Sequence, residues 1–129
     1  MKLKFFDLAA FIDAYQQIEN NSLPFSLAYQ LSCIKKEVNE CIAFYRDRYN
    51  ACLEQYAQKE ENGTYKMSPD GSSILLKEET LSEARQKFFE IDNYEFPLNS
   101  KPIPITAFET LTLSPSNLTG LLPFIEKAE

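Results

Sequence analysis

PFSLAYQLSCIKKEVNECIAFYRDRYNACLEQYA, residues 24–57, decides the fold. Leu27, Leu31, Ile34, Val38, Ile42, Tyr45, Tyr49, Leu53 and Tyr56 recur at steps of three and four. That spacing gathers side chains into one stripe of an α-helix. Pro24 suits the opening of such a helix, because its missing N–H is one that a first turn leaves unbonded anyway. No Gly or Pro follows it before Gly63. A helix of this length spans ~50 Å, so several other segments, or another molecule, must cover its stripe.

The flanks supply those segments. Lys2 to Phe6 alternates charged and apolar groups and reads as a short strand. Asp7 is a suitable N-cap for a helix from Leu8 to Glu19, with Leu8, Phe11, Ile12, Tyr15 and Ile18 as its apolar stripe. Asn20, Asn21 and Ser22 end it, and so short a connection to Pro24 predicts an antiparallel helix pair. Beyond Gly63, Thr64–Met67 and Ser73–Leu76 flank Ser68-Pro69-Asp70-Gly71. This turn chemistry predicts a β-hairpin at the far end of the long helix. The hairpin is either a recognition finger or a simple joint between helices, since an isolated hairpin needs something packed on it. A third helix is expected over Glu78–Ile91, with acids at its positive end and Leu81, Ala84, Phe88 and Ile91 inward.

From Asn93 to Leu113 the prolines Pro97, Pro102 and Pro104 exclude helix and central strand. The alternations Tyr94/Phe96/Leu98, Ile103/Ile105 and Leu111/Leu113 suit short edge strands, one of them pairing with Lys2–Phe6. Ser114-Pro115 starts a short helix to Leu122, with Leu118, Leu121 and Leu122 inward and Phe124 and Ile125 anchoring the tail. The expected class is α+β, mainly helical. One long central helix is packed by two shorter antiparallel helices, with a β-hairpin at the tip, short edge strands and a short C-terminal helix, in a single domain over residues 1–129.

Composition narrows the function. A net charge of −6 argues against nucleic-acid binding, where Lys and Arg must replace phosphate counterions. Residues 1–8 lack the continuous apolar core of a secretory signal, and no stretch approaches the ~20 apolar residues of a membrane span. A cytoplasmic, membrane-free protein is expected, and the sequons at Asn20, Asn62 and Asn117 carry no weight. Cys33, Cys41 and Cys52 all fall on the long helix. The closest pair is ~12 Å apart along its axis, beyond the ~7 Å that a disulfide allows, so three free thiols are expected. There is no histidine, hence no general base of the usual kind and no Cys/His zinc site. There is no Gly-rich phosphate loop, and no cofactor is called for. One catalytic alternative survives: Glu37, Glu40 and Asp47 share a helix face, an acidic stripe that could hold a divalent metal with help from elsewhere.

Several stretches resemble a family of small uncharacterised proteins of tailed phages and prophages of Gram-positive bacteria. They are Met1-Lys2-Leu3-Lys4, Leu23-Pro24, Glu61-Asn62-Gly63, Leu113-Ser114-Pro115-Ser116-Asn117-Leu118 and Leu122-Pro123-Phe124-Ile125. Tyr65–Leu76 is more hairpin-like than that family leads one to expect. The resemblance implies phage origin and the host cytoplasm, and it brings no activity and no catalytic residue.

The expected function is therefore non-enzymatic protein–protein binding, to the chain itself, a virion component or a host protein, as for an inhibitor of host defence. The alternative is a metal-dependent enzyme on the acidic stripe. Two sets of residues are candidates for partner binding. Tyr65, Met67, Ile74 and Leu76 form the apolar face of the hairpin, and the first three are its candidate contacts. Cys41, Phe44 and Arg48 form a second stripe on the long helix, which is a homodimer contact if it stays open and core if the C-terminal segments cover it.

Overall fold

The computed structural model describes residues 1–126. The protein is α+β and mainly helical. In order, β1 (Lys2–Leu3), α1 (Phe5–Ile18) and α2 (Phe25–Tyr56) are followed by a 3-10 turn (Glu78–Thr80), α3 (Leu81–Asp92), β2 (Phe96–Pro97) and β3 (Ile103–Pro104). A second 3-10 turn (Ile105–Phe108), α4 (Pro115–Leu121), a third 3-10 turn (Leu122–Phe124) and β4 (Ile125–Glu126) complete the chain. The described residues gather into two compact units: Met1–Ala43 with the chain from Glu95 onward, and Phe44–Tyr94. The long helix is continuous over 32 residues and contributes to both. Its apolar stripe lies where the periodicity puts it. Leu27, Leu31, Ile34, Val38, Ile42, Leu53 and Tyr56 are buried, and Tyr45 and Tyr49 are half-buried.

In the first unit, α1 buries Leu8, Phe11, Ala14 and Ile18. The helix starts earlier than expected, and the predicted strand shrinks to Lys2–Leu3. Asp7 is not the N-cap. It sits one turn inside, and its carboxylate accepts the Lys4 N–H at 3.3 Å. An acid at that position satisfies an orphan donor as well as a cap would. Lys35 on α2 joins Glu19 at 3.6 Å and lies over the Tyr15 ring at 4.9 Å.

The short strands form two separate pairs. β1 runs antiparallel to β2, with Leu3 opposite Phe96, so the edge strand that pairs with the N-terminal one is the strand at Phe96. β3 runs parallel to β4, with Ile103 opposite Ile125. The Leu111/Leu113 alternation forms no strand. Ser114 does cap α4, its Oγ accepting the Asn117 N–H at 3.2 Å. The inward face of α4 needs correction, because Leu118 and Leu122 are exposed while Gly120 and Leu121 are buried. The reason is Gly120. A Cβ there would stand 2.4 Å from the Ala10 carbonyl oxygen and 2.9 Å from the Ala14 Cβ. The missing side chain lets α4 approach α1 closely, and Phe124 then packs on Phe11 with ring centroids 4.7 Å apart.

In the second unit, Cys52 and Tyr56 of α2 and Ala84 of α3 form a core joined by Leu76, Phe88 and Ile91. The predicted hairpin is present, with Met67 bridged to Ile74 and the Ser68 N–H donating to the Ser73 carbonyl at 2.8 Å. A third segment joins it directly after α2. Ala57 bridges Leu76 and Lys59 bridges Tyr65. The Gln58 N–H donates to Leu75 O, the Leu75 N–H to Lys66 O and the Lys66 N–H to Gln58 O, each at 2.9 Å. The three segments thus close a ring in which each donates to the next. A hairpin on its own is marginal in water; here its backbone groups are satisfied by the chain that leaves α2. Gly63 and Gly71 turn the two loops with φ of +89° and +73°, a region that a side chain disfavours.

Candidate functional site

Glu37 is half-buried in the first unit and belongs to the fold. Both of its oxygens accept the Asn99 N–H, at 3.1 and 3.0 Å, and Oε1 also accepts the Ser100 N–H at 2.9 Å and its hydroxyl at 2.7 Å. Burial pushes this carboxyl up, but the Asn99 and Ser100 donors outweigh it and hold the pKa below the ordinary carboxylate value. Glu37 therefore ties the proline-rich segment to α2. Glu40 and Asp47, the other members of the acidic stripe, lie exposed. Among the described residues, no three His, Cys, Asp or Glu side chains gather as a metal site would require.

The second unit holds the candidate site, an apolar cleft of about 460 Å³. Leu53 and Tyr49 of α2 and Phe88 of α3 form its floor; Met67, Ile74 and Leu76 of the hairpin form its wall, with Ser72 and Ser73 at the turn. No charged side chain among the described residues lines it. The volume falls in the range of sites that take one bulky group. Its floor is fixed by aromatic packing. Tyr49 stacks on Tyr45 with centroids 5.8 Å apart and meets Phe88 at 5.1 Å and 56°. The Tyr45 hydroxyl donates to Asp92 Oδ1 at 2.6 Å. Burial and then that carboxylate raise the Tyr45 pKa far above the phenol range, so the hydroxyl keeps its proton and its bond. Met67 overhangs the cleft 46% exposed, an adaptable side chain of the kind that conforms to varied partners.

The structure brings together two of the three hairpin candidates. Met67 and Ile74 both line the cleft. Tyr65 points elsewhere: its hydroxyl donates to Glu54 Oε1 at 2.8 Å, Lys59 lies 5.8 Å from its ring centroid, and Lys59 also pairs with Glu54. The Glu54 hydrogen bond and then burial raise the Tyr65 pKa. This side chain braces the segment that leaves α2. On the second helical stripe, Phe44 is 54% exposed, with the Arg48 guanidinium 5.4 Å from its ring centroid. Cys41 is half-buried, and burial, followed by Glu37 and Glu40, pushes its thiol up. Leu76, expected on the same hairpin face, also lines the cleft, whereas Tyr49, Leu53 and Phe88 were missed as a site. Each belongs to an apolar pattern that reads as core, and periodicity does not tell a covered stripe residue from one left at an opening.

Comparison with protein-family models, with curated proteins and with solved structures finds no match. Among the described residues, no helix is long and apolar enough to cross a membrane.

Proposed function

We propose that this is a non-enzymatic binding protein of phage type, acting in the host cytoplasm. It holds an apolar side chain of a partner protein in the cleft between α2, α3 and the hairpin. The supporting observation is the cleft itself: an apolar hollow with a fixed aromatic floor, a pliant exposed methionine at its mouth and no charged lining. An uncharged hollow of this size rewards a hydrophobic anchor and nothing ionic. The resemblance noted above carries the phage origin, and with it a virion component or a host-defence factor as partner.

The test has two steps. Tagged protein retrieves candidate partners from host cells, and each purified partner is then titrated calorimetrically against wild type, Met67→Glu and Ile74→Glu. A charge in the hollow should weaken the true partner by roughly ten-fold or more. Thermal melting of each variant checks that the fold survives. Affinity unchanged in both folded variants removes the cleft from the binding site.

A further inference from the structure

Two turns of the second unit carry side chains of the same shape in front of a glycine, Asn62-Gly63 and Asp70-Gly71. Their backbones match. Gly63 and Gly71 have φ of +89° and +73°, and each N–H donates three residues back, to Glu60 O at 3.0 Å and to Ser68 O at 2.8 Å. All four residues are exposed, and a Cβ on either glycine would meet nothing within 4 Å. The bonds to the two side chains differ. Asn62 Oδ1 accepts the Thr64 hydroxyl at 2.7 Å and the Thr64 N–H at 3.1 Å. Asp70 Oδ1 accepts the Ser68 hydroxyl and both the N–H and the hydroxyl of Ser72, and these donors hold its carboxyl down to about 2. Asn62 is the one asparagine in the sequence that precedes a glycine.

We propose that Asn62-Gly63 is a self-modifying site, where the Gly63 nitrogen attacks the Asn62 side-chain amide, assisted by the Thr64 donors, and converts it through a cyclic imide to aspartate and isoaspartate. The bond from the Gly63 nitrogen to Asn62 Cγ forms as that nitrogen gives up its proton. The Cγ–Nδ2 bond breaks, and Nδ2 takes up a proton and leaves as ammonia. Water then opens the imide. Opening at the side-chain carbonyl leaves aspartate; opening at the main-chain carbonyl leaves isoaspartate, with the backbone running through the side chain. Glycine suits the attack because no side chain hinders a close approach to its nitrogen. Negative charge develops on Oδ1 as the ring closes, and donors at 2.7 and 3.1 Å are placed to stabilise it. The Gly63–Glu60 bond must open first, and at an exposed turn such opening costs little. Asp70-Gly71 has the same backbone and stays closed to the reaction, because an ionised carboxylate resists a nucleophile and has no ammonia to lose. The product at position 62 adds a negative charge beside Glu60 and Glu61. Its isoaspartate form also adds one backbone atom to the loop between the bridged Lys59 and Tyr65.

This chemistry needs no partner and does not rest on the cleft. The full chain is incubated warm in mildly alkaline buffer and sampled by peptide mapping that separates isoaspartate from aspartate. Asn62 should be lost while Asn20 and Asn21, exposed but followed by bulkier residues, remain largely intact. Position 70 should yield no isoaspartate over the same period. Conversion should quicken as pH rises, because the Gly63 nitrogen must shed its proton to attack. Thr64→Val keeps the N–H and the side-chain shape but removes the hydroxyl. It should slow conversion several-fold, less than the loss in an enclosed oxyanion hole because this turn is open to water. Thermal melting checks that the variant keeps its fold. An Asn62 that outlasts Asn20 or Asn21, isoaspartate at position 70 instead, or faster conversion in folded Thr64→Val would each overturn the proposal.

Discussion

Gly120 and Glu37 show two single residues setting the geometry of the first unit. In most helices Gly→Ala stabilises by up to ~1 kcal/mol through backbone entropy. At position 120 the added Cβ would meet a backbone oxygen at 2.4 Å, which cannot swing aside as a side chain would. Overpacking of this kind costs ~1–3 kcal/mol, so the sign reverses. Gly120→Ala should melt several degrees below wild type by circular dichroism, and a rise in Tm would mean that α4 does not rest on α1 through this residue. Glu37 makes a pH prediction. Its folded pKa lies below the ordinary value of 4.5. The stability it contributes is therefore complete above that value and lost as pH falls through the folded pKa. Urea unfolding of wild type and Glu37→Gln should differ at neutral pH, with the gap closing below about pH 4. A gap that is constant from pH 3 to pH 7, on the order of the same size throughout, would show that the carboxylate charge is not what Asn99 and Ser100 recognise.

At the scale of elements, the ring of Gln58, Lys66 and Leu75 is the least conventional part. All three amides should exchange with solvent slowly and at similar rates, because opening one frees the other two. Leu75→Pro removes one donor and strands the Lys66 carbonyl, a loss of ~1–3 kcal/mol if that oxygen stays shielded. Hydrogen exchange should then show the Gln58 and Lys66 amides deprotected together, and loss at one alone would mean that the segments pair independently. The limits of α2 were legible because the 3-4 spacing runs unbroken from Leu27 to Tyr56. The hairpin was legible from Ser68-Pro69-Asp70-Gly71. The third segment was not, because Ala57-Gln58-Lys59 has no alternation to mark it as a strand. The face of α4 misled for a related reason: hydrophobic spacing gives weight to Leu118 and Leu122 and none to a glycine, yet the glycine makes the close contact.

At the scale of the whole molecule, the three thiols report on burial. Cys33 is exposed, Cys41 half-buried and Cys52 buried. Burial raises the pKa of both Cys41 and Cys52, leaving less of the reactive thiolate. Alkylation under native conditions should modify Cys33 first, Cys41 next and Cys52 last, with no internal disulfide in the mass spectrum. Early labelling of Cys52 would mean that the core with Tyr56 and Ala84 opens readily. Of the candidate site, Met67 and Ile74 were legible because turn chemistry placed them on one face of a hairpin. The floor was not, since it depends on how far the hairpin stands from α2 and α3. The ring also bears on the order of synthesis. While a ribosome has delivered the chain only to the Ser68 turn, Gln58 and Lys66 have their partners in each other but not in Leu75. The circuit is local, and it locks in a single step once the last segment emerges. Closing a hairpin takes microseconds, whereas adding a residue takes about 0.1 s. The second unit therefore waits on translation rather than on its own search.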